Sequence, residues 1–290
     1  QLTWNPKIFK EIFSFTGWSL FGSISVVLRN QAITILLNQM FNPAIVATRT
    51  IASQVSNTVN VFSNNFNTGL YPPIIKSYAS GNKKQMFNLV FHGSKITYFL
   101  MFLFTLPLFI EMPFIMEFWL NNPPKDIIIF TRLALIDSLI TSVSLPLMTT
   151  VRATGKVKIY ELTLGSILIL SFFSSWYILY MGMPAYSVMI IAIIATFLMF
   201  LARLLILKRL ISFPTKKYIK KVIFPLVLMS SISIFISSYI NFQTSSKLIS
   251  SILSILCIAL VVCINSYFVI LNKSDRKRIK KIINNKIQHR

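Results

Sequence analysis

Long apolar segments alternate with short polar connections along the whole length of the chain. Each apolar segment holds about twenty residues, which as a helix is enough to cross a hydrocarbon core about 30 Å thick. The pattern therefore predicts an all-α polytopic membrane protein with about eight transmembrane helices. The predicted spans are residues 12–37, 44–71, 86–110, 127–151, 160–180, 185–207, 222–240 and 248–271.

Composition strengthens this prediction, because 54% of the residues are hydrophobic and only 12% are charged. Soluble domains are closer to a quarter charged. The net charge of +22 does not indicate nucleic-acid binding, since excess Lys and Arg in a membrane protein mark cytoplasmic loops. Cys257 and Cys263 lie in one apolar segment and indicate neither a disulfide framework nor a metal site.

The connections alternate in charge from one predicted span to the next. One set carries most of the Lys and Arg and reads KSYASGNKK, RATGKVK, KRLISFPTKKYIKK and the C-terminal NKSDRKRIKKIINNKIQHR. The other set reads NQMFNP, EMPFIMEFWLNNPPKD, MGMPAYS and NFQTSSK. The basic set is expected in the cytoplasm, which places both ends of the chain there.

Ionisable groups inside the predicted spans are candidates for function, because each costs about 2.5–3.5 kcal/mol on insertion scales. Arg29, Asn30 and Gln31 lie near the middle of the first span. The second span carries Arg49, and the fourth carries Asp137, the single acid of the candidate cavity. Arg29 is expected either to line a cavity or to pair with Asp137.

Polar residues of the second span recur at steps of three and four, which places them on one helical face. They are Arg49, Ser53, Asn57, Asn60, Asn64 and Asn67. Such a face is not expected to contact lipid, because unpaired amides are costly there. It either joins neighbouring helices by hydrogen bonds or lines a hydrated cavity. Gly69, Pro72 and Pro73 are expected to end this helix.

The charges of this candidate cavity indicate an anionic, sugar-bearing solute. Arginine binds phosphate through paired, charge-assisted hydrogen bonds, and amides suit sugar hydroxyls. Arg29 and Arg49, with Lys95 considered as a third cation, outnumber Asp137. A cationic drug would instead call for carboxylates.

Several segments resemble bacterial polysaccharide-export flippases of the Wzx type. VLRNQAITILLNQMFNPAIVATRTIASQVS is similar to the seventh and eighth helices of that family. The segments GLYPPIIKSYASGNKKQM, LPLFIEMPFIMEFWL and TTVRATGKVKIYE resemble the loops that follow. The resemblance covers nearly the whole chain but includes no catalytic signature.

The resemblance implies a fold of the MATE/MOP exporter superfamily, with two pseudo-symmetric six-helix bundles around a central cavity. Residues 1–210 would form the second bundle, 211–271 the additional helix pair of MurJ-like flippases, and 272–290 a basic cytoplasmic tail. The chain begins at Gln1, so we expect it to be a C-terminal portion whose first bundle is a missing partner.

The resemblance further implies alternating access, in which undecaprenyl-pyrophosphate-linked oligosaccharide crosses the bacterial inner membrane for polysaccharide, O-antigen or capsule export. Membrane lipids and a polysaccharide polymerase are the other expected partners. No resident cofactor is expected, although Na⁺ or H⁺ coupling would involve Asp137.

Two alternatives stay open. The first is a cation-coupled multidrug exporter of the same fold, which acidic cavity residues would favour. The second is an enzyme, either a membrane-bound polysaccharide polymerase or an acyltransferase. Such enzymes usually need a large outer loop or clustered acid and base residues, and the longest outer connection, EMPFIMEFWLNNPPKD, carries no such cluster.

Overall fold

The computed structural model describes residues 5–240 and 247–270, apart from the side chains of residues 7 and 8. Within these ranges the chain forms nine α-helices and no β-strand, which confirms the predicted all-α class. The helices are α1 (Pro6–Met40), α2 (Pro43–Ala79), α3 (Lys83–Ile110), α4 (Met112–Leu120), α5 (Ile127–Ala153), α6 (Lys158–Tyr180), α7 (Ser187–Ile211), α8 (Thr215–Ser237) and α9 (Lys247–Val269).

Seven helices of the described chain are long and apolar enough to cross a membrane, namely α1, α3 and α5 to α9. The protein is therefore a multi-pass membrane protein. The helix α2 is not among the seven, because its many Asn, Ser and Thr residues lower its hydropathy. It nevertheless packs against both α3 and α5, and the count of eight spans stays a prediction.

The predicted end of the second span is wrong. The helix α2 continues through Gly69, Pro72 and Pro73 and ends at Ala79. Proline removes one backbone hydrogen bond and usually breaks a soluble helix, but transmembrane helices tolerate it where neighbouring helices support the backbone. Here the segment beyond the prolines packs inward, because Ile74 is fully buried in the largest apolar cluster.

Two segments expected to be connections are helical. The short helix α4 occupies the predicted outer connection and buries Met112 and Met116 completely. The helix α8 begins at Thr215, seven residues before the predicted span at Val222. Its first turns include a π-helical segment, Ile219–Ile223, and the fully buried Tyr218. Burial of these side chains stabilises both helical segments.

The helices pack in a fixed order of neighbours. The helices α2, α3 and α5 contact one another, α7 packs against α5 and α6, and α1 packs mainly against α6. The pair α8 and α9 packs together and against α3. Tyr218 of α8 donates a 2.9 Å hydrogen bond to Ser94 Oγ of α3 and strengthens this contact. The predicted tail, 272–290, lies outside the described residues.

Small side chains allow α2 to approach its neighbours closely. Its buried face carries Thr48, Ala52, Ser56 and Ser63, at intervals of four or seven residues. Helices associate in lipid through such small residues, which bring the two backbones near each other. The polar residues predicted for the cavity lie beside this buried face and not on it.

Candidate functional site: a polar cavity between four helices

A cavity of about 450 Å³ lies between α1, α2, α5 and α7. Asp137, one of its lining residues, comes ten positions after the start of α5, which corresponds to about 15 Å along the helix. The cavity is therefore near the middle of a helix long enough to span the membrane. Its apolar side is formed by Ile33, Ala134, Val188 and Met189, which belong to one buried cluster.

The structure brings together eight of the ten residues predicted for the site. The cavity lining includes Arg29, Asn30, Gln31, Arg49, Ser53, Asn57, Asn60 and Asp137. They come from the consecutive helices α1 and α2 and from α5, which is distant from both in the sequence. The charged side chains of this lining are two arginines and one aspartate, so the cavity carries a net positive charge.

The remaining two predicted residues, Asn64 and Asn67, lie further along α2 and do not line this cavity. Asn64 is exposed. Asn67 donates a 3.3 Å hydrogen bond from Nδ2 to Thr149 Oγ1 on α5. The stripe of amides is thus divided, with one half at the cavity and the other half beyond it.

The guanidinium groups are only partly satisfied by protein partners. Arg49 donates from Nη1 to Thr34 Oγ1 at 2.7 Å, and Arg29 donates from Nη1 to Asn30 Oδ1 at 3.4 Å. The Nε atoms of both arginines are buried and have no hydrogen-bond partner. Each guanidinium carries five N–H donors, so both groups keep hydrogen-bonding capacity beyond these protein contacts.

Asp137 stands opposite these cations. Its carboxylate interacts with the hydroxyl of Thr196 on α7 and is attracted by Arg29, while Arg29 and Arg49 repel each other. Its Oδ1 atom is buried without a hydrogen-bond partner. Asp137 therefore offsets part of the positive charge and leaves one acceptor unused.

Hydroxyl and amide groups join α2 to α5 at the wall of the cavity. Ser56 Oγ and Ser138 Oγ lie 2.5 Å apart, and Asn60 donates from Nδ2 to Ser138 Oγ at 2.8 Å. Ser56 also donates to the carbonyl oxygen of Ala134 at 3.3 Å. Ser53 and Asn57 of α2 line the cavity as well.

Sequence reasoning missed several hydroxyl groups of the same cavity. Thr34, Thr50, Ser56, Ser138 and Thr141 also line it. Two signals were present in the sequence: Thr34 follows Asn30 by four positions on α1, and Ser138 is the neighbour of Asp137. Hydroxyl residues are common in membrane helices as internal hydrogen-bonding groups, so the signals were weak.

A second buried polar cluster, outside this cavity, contains an acid of its own. Glu161 of α6 is 6% exposed and is attracted by Arg152 of α5 and Arg203 of α7. Arg203 is 5% exposed and donates from Nε to the hydroxyl of Tyr160 at 3.2 Å. Arg203 stands in a strongly apolar helix, which was a signal that could have been used.

Lys95 does not line the cavity with the two arginines. Its side chain is 7% exposed and donates from Nζ to the carbonyl oxygen of Ile270 at 3.1 Å. Ile270 follows the last residue of α9, so the ammonium group stabilises the C-terminal end of that helix. Lys95 has a role in packing, at the contact between α3 and α9.

The fold and the cavity define the protein as a multi-pass helical membrane protein with a polar, net positive cavity between its helices. Comparison of the chain with protein-family models, with curated proteins and with solved structures finds no match. The interpretation of function therefore depends on the chemistry of the cavity and on the resemblance in sequence.

Proposed function

We propose that the protein belongs to a flippase that moves undecaprenyl-pyrophosphate-linked oligosaccharide across the bacterial inner membrane, and that this chain supplies the second bundle and the additional helix pair. The observation that supports this most is the cavity that brings Arg29 and Arg49 together with amide and hydroxyl groups. In this proposal the protein is a transporter and not an enzyme, and its C-terminus is cytoplasmic.

The charge of the cavity supports a phosphate-bearing load. The Nε donors of Arg29 and Arg49 are buried and unpartnered, and guanidinium groups match the geometry of phosphate oxygens. A bound pyrophosphate would offset the repulsion between the two arginines. Charge-assisted hydrogen bonds to the two guanidinium groups would supply its binding energy.

The polar neighbours of the arginines support a sugar next to the phosphate. Asn30, Ser53 and Asn57 line the cavity, and amides both donate to and accept from sugar hydroxyls. The volume of about 450 Å³ is within the range of small-ligand sites. It suits the pyrophosphate and the first sugars of a load whose lipid tail stays in the membrane.

A mechanism by alternating access is consistent with the position of the cavity. Transporters hold the load near the middle of the membrane and expose it to one side at a time. Asp137, with one acceptor atom unpartnered, is the group at which binding of Na⁺ or H⁺ would lower the attraction for Arg29. Arg29 would then be freed for the phosphate.

Asp137 also favours a second candidate, a cation-coupled multidrug exporter of the same fold. In that case the carboxylate would bind the coupling ion or a cationic drug, and the arginines would serve only to position it. The two candidates differ in the sign of the transported charge, so one set of variants separates them.

The test uses the full-length protein in a bacterial strain that lacks its own polysaccharide flippase. Surface polysaccharide is measured for Arg29→Gln and Arg49→Gln and for the control Arg209→Gln, which changes an exposed arginine at the end of α7. We expect each cavity variant to lower export about tenfold or more, because a charged hydrogen bond contributes about 1.5–3 kcal/mol. The control should export normally.

Normal export by the double variant Arg29→Gln/Arg49→Gln, at an equal amount of protein in the membrane, would contradict the proposal. Efflux of a cationic dye from the same cells tests the second candidate. The multidrug exporter would be favoured if Asp137→Asn abolishes dye efflux. In that case the arginine variants should lower efflux only as far as they lower the amount of protein in the membrane.

A further inference from the structure

A second cavity lies at one end of the helices, separate from the cavity lined by Arg29 and Arg49, which we call the arginine cavity. It has a volume of about 970 Å³ and is lined by the first turns of α1, the connection between α5 and α6, and the end of α7. The connection carries the basic segment that the charge pattern assigns to the cytoplasmic side. We call this the interfacial cavity.

Lysines give the interfacial cavity a net positive charge. Lys10, Lys156 and Lys158 line it, against a single acid, Glu11. All four side chains are exposed, so their charges face the solution or the lipid headgroups and not one another in a closed core. Each basic group near a membrane surface adds about 1 kcal/mol of attraction for anionic lipid.

An aromatic side chain fixes one of these cations. The Nζ atom of Lys158 lies 5.2 Å from the centre of the Trp18 ring, a cation–π contact that joins α6 to α1. Tryptophan prefers the level of the lipid headgroups. A lysine held beside such a tryptophan suits the phosphate of a lipid headgroup.

The start of α6 adds a further positive potential. Its N-cap residue is Val157, which makes no side-chain hydrogen bond to the first turn. The first backbone N–H groups of a helix attract anions, and the acid of this first turn, Glu161, is buried and attracted by Arg152 and Arg203. Lys156 and Lys158 stand on either side of this residue, so the ammonium groups and the helix end act on the same region.

Apolar side chains form the rest of the interfacial cavity. Ile12 is 60% exposed and Ile159 is 65% exposed, and both line the cavity beside Phe15. A free phosphate ion gains nothing from such a wall. An anionic phospholipid gains twice, since its headgroup meets the lysines while its acyl chains contact the isoleucines.

From this arrangement we propose that the interfacial cavity binds an anionic phospholipid, with its phosphate between Lys156 and Lys158 and its acyl chains against Ile12 and Ile159. The proposal does not depend on the proposed transport function. It assigns to this end of the protein a regulatory or structural lipid that is not itself transported.

The test measures phosphatidylglycerol binding to the full purified chain in nanodiscs of phosphatidylcholine. The variant Lys156→Gln/Lys158→Gln removes the two lysines, and Lys216→Gln/Lys217→Gln is the matched control. The control removes two exposed lysines at the start of α8, which also belongs to the basic side. Both variants therefore lose the same charge from the same predicted face.

We expect the cavity variant to bind phosphatidylglycerol about tenfold or more weakly, and the control to bind within about twofold of the unchanged chain. Lys156→Arg/Lys158→Arg should restore most of the affinity, which would exclude misfolding as the cause. Equal losses in both glutamine variants would overturn the proposal, because they would indicate general surface charge.

The source of the phosphate is decided in the same assay. Inorganic phosphate and glycerol 1-phosphate are added at concentrations far above that of the lipid. We expect neither to displace phosphatidylglycerol, because neither supplies acyl chains. Full displacement by either one would overturn the lipid proposal and identify a site for a soluble phosphate.

Discussion

Arg49 of α2 donates a 2.7 Å hydrogen bond from Nη1 to Thr34 Oγ1 of α1, and both residues line the arginine cavity. The helices α1 and α2 otherwise have few contacts, since α1 packs mainly against α6. A single polar contact therefore contributes to the position of α1 and also aims a guanidinium group into the cavity.

This relationship predicts that Thr34→Val lowers stability although valine has almost the same shape as threonine. The substitution leaves Arg49 Nη1 without its acceptor, at a cost of about 1–2 kcal/mol. Thr34→Ser keeps the hydroxyl group and should behave like the unchanged protein. Thermal unfolding in detergent measures the difference, and identical midpoints for the valine and serine variants would contradict the prediction.

The hydroxyl network between α2 and α5 predicts a specific effect of Ser138→Ala. Ser138 Oγ bonds to Ser56 Oγ at 2.5 Å and accepts from Asn60 at 2.8 Å, so its loss weakens two interhelical contacts. We expect a loss of about 1–2 kcal/mol.

Ser144→Ala is the matched control on the same helix. Ser144 is fully buried, but its hydroxyl donates only to Ile140 of its own helix, at 3.4 Å. This variant should change stability much less. Equal unfolding temperatures for Ser138→Ala and Ser144→Ala would contradict the prediction, because they would show that the interhelical hydrogen bonds of Ser138 add no stability.

Gly22 predicts a steric effect at the contact of α1 and α6. A methyl group on Gly22 would overlap the carboxylate of the buried Glu161, so Gly22→Ala must displace a charged group from its place near Arg203. We expect a loss of about 1–3 kcal/mol. Thermal unfolding and the amount of folded protein in the membrane are the measurements.

Gly17→Ala provides the comparison, because no atom lies within 4 Å of the added carbon there. Alanine favours a helix over glycine by about 1 kcal/mol, so this variant should be neutral or more stable. The cost of Gly22→Ala should shrink when Glu161 is also replaced by alanine. An unchanged cost in that background would show that Glu161 is not the cause.

Replacement of Arg203 is predicted to lower the stability of the protein strongly, although this residue does not line the arginine cavity. Its guanidinium group is 5% exposed, bonds to Tyr160 and attracts Glu161. Removing the guanidinium leaves the buried Tyr160 hydroxyl without this donor and Glu161 without a neighbouring cation, a loss of about 1–3 kcal/mol. Arg203→Gln should therefore reduce the folded protein sharply, whereas Arg209→Gln, at an exposed site, should not.

A double variant refines this prediction. Glu161→Gln removes the carboxylate that attracts both Arg152 and Arg203. Because the two substitutions remove the same interaction, Glu161→Gln/Arg203→Gln should cost less than the sum of the single variants. Additive losses would mean that Arg203 is stabilised mainly by Tyr160 and not by Glu161.

The helices were largely predictable because their cause is local. Apolar segments long enough to cross a membrane predicted spans at residues 127–151 and 160–180. The structure has helices at Ile127–Ala153 and Lys158–Tyr180. The cavity was predictable in part for the same reason. Arg29, Arg49 and Asp137 stand out in apolar surroundings, where an ionisable group is expensive.

Tertiary contacts decided the features of the fold and of the cavity that the sequence did not predict. The helix α2 passes through Pro72 and Pro73 because Ile74 is buried against other helices, and α4 forms where Met112 and Met116 find a core. Packing also separates groups that look alike in sequence, since Lys95 and Arg203 enter other contacts while Arg29 and Arg49 share a cavity. The sequence by itself determined most of the helical segments and which side chains are too costly to leave in lipid. Only the tertiary structure decided which of those side chains meet, because that depends on which faces of the helices pack together and not on the residues of any one helix.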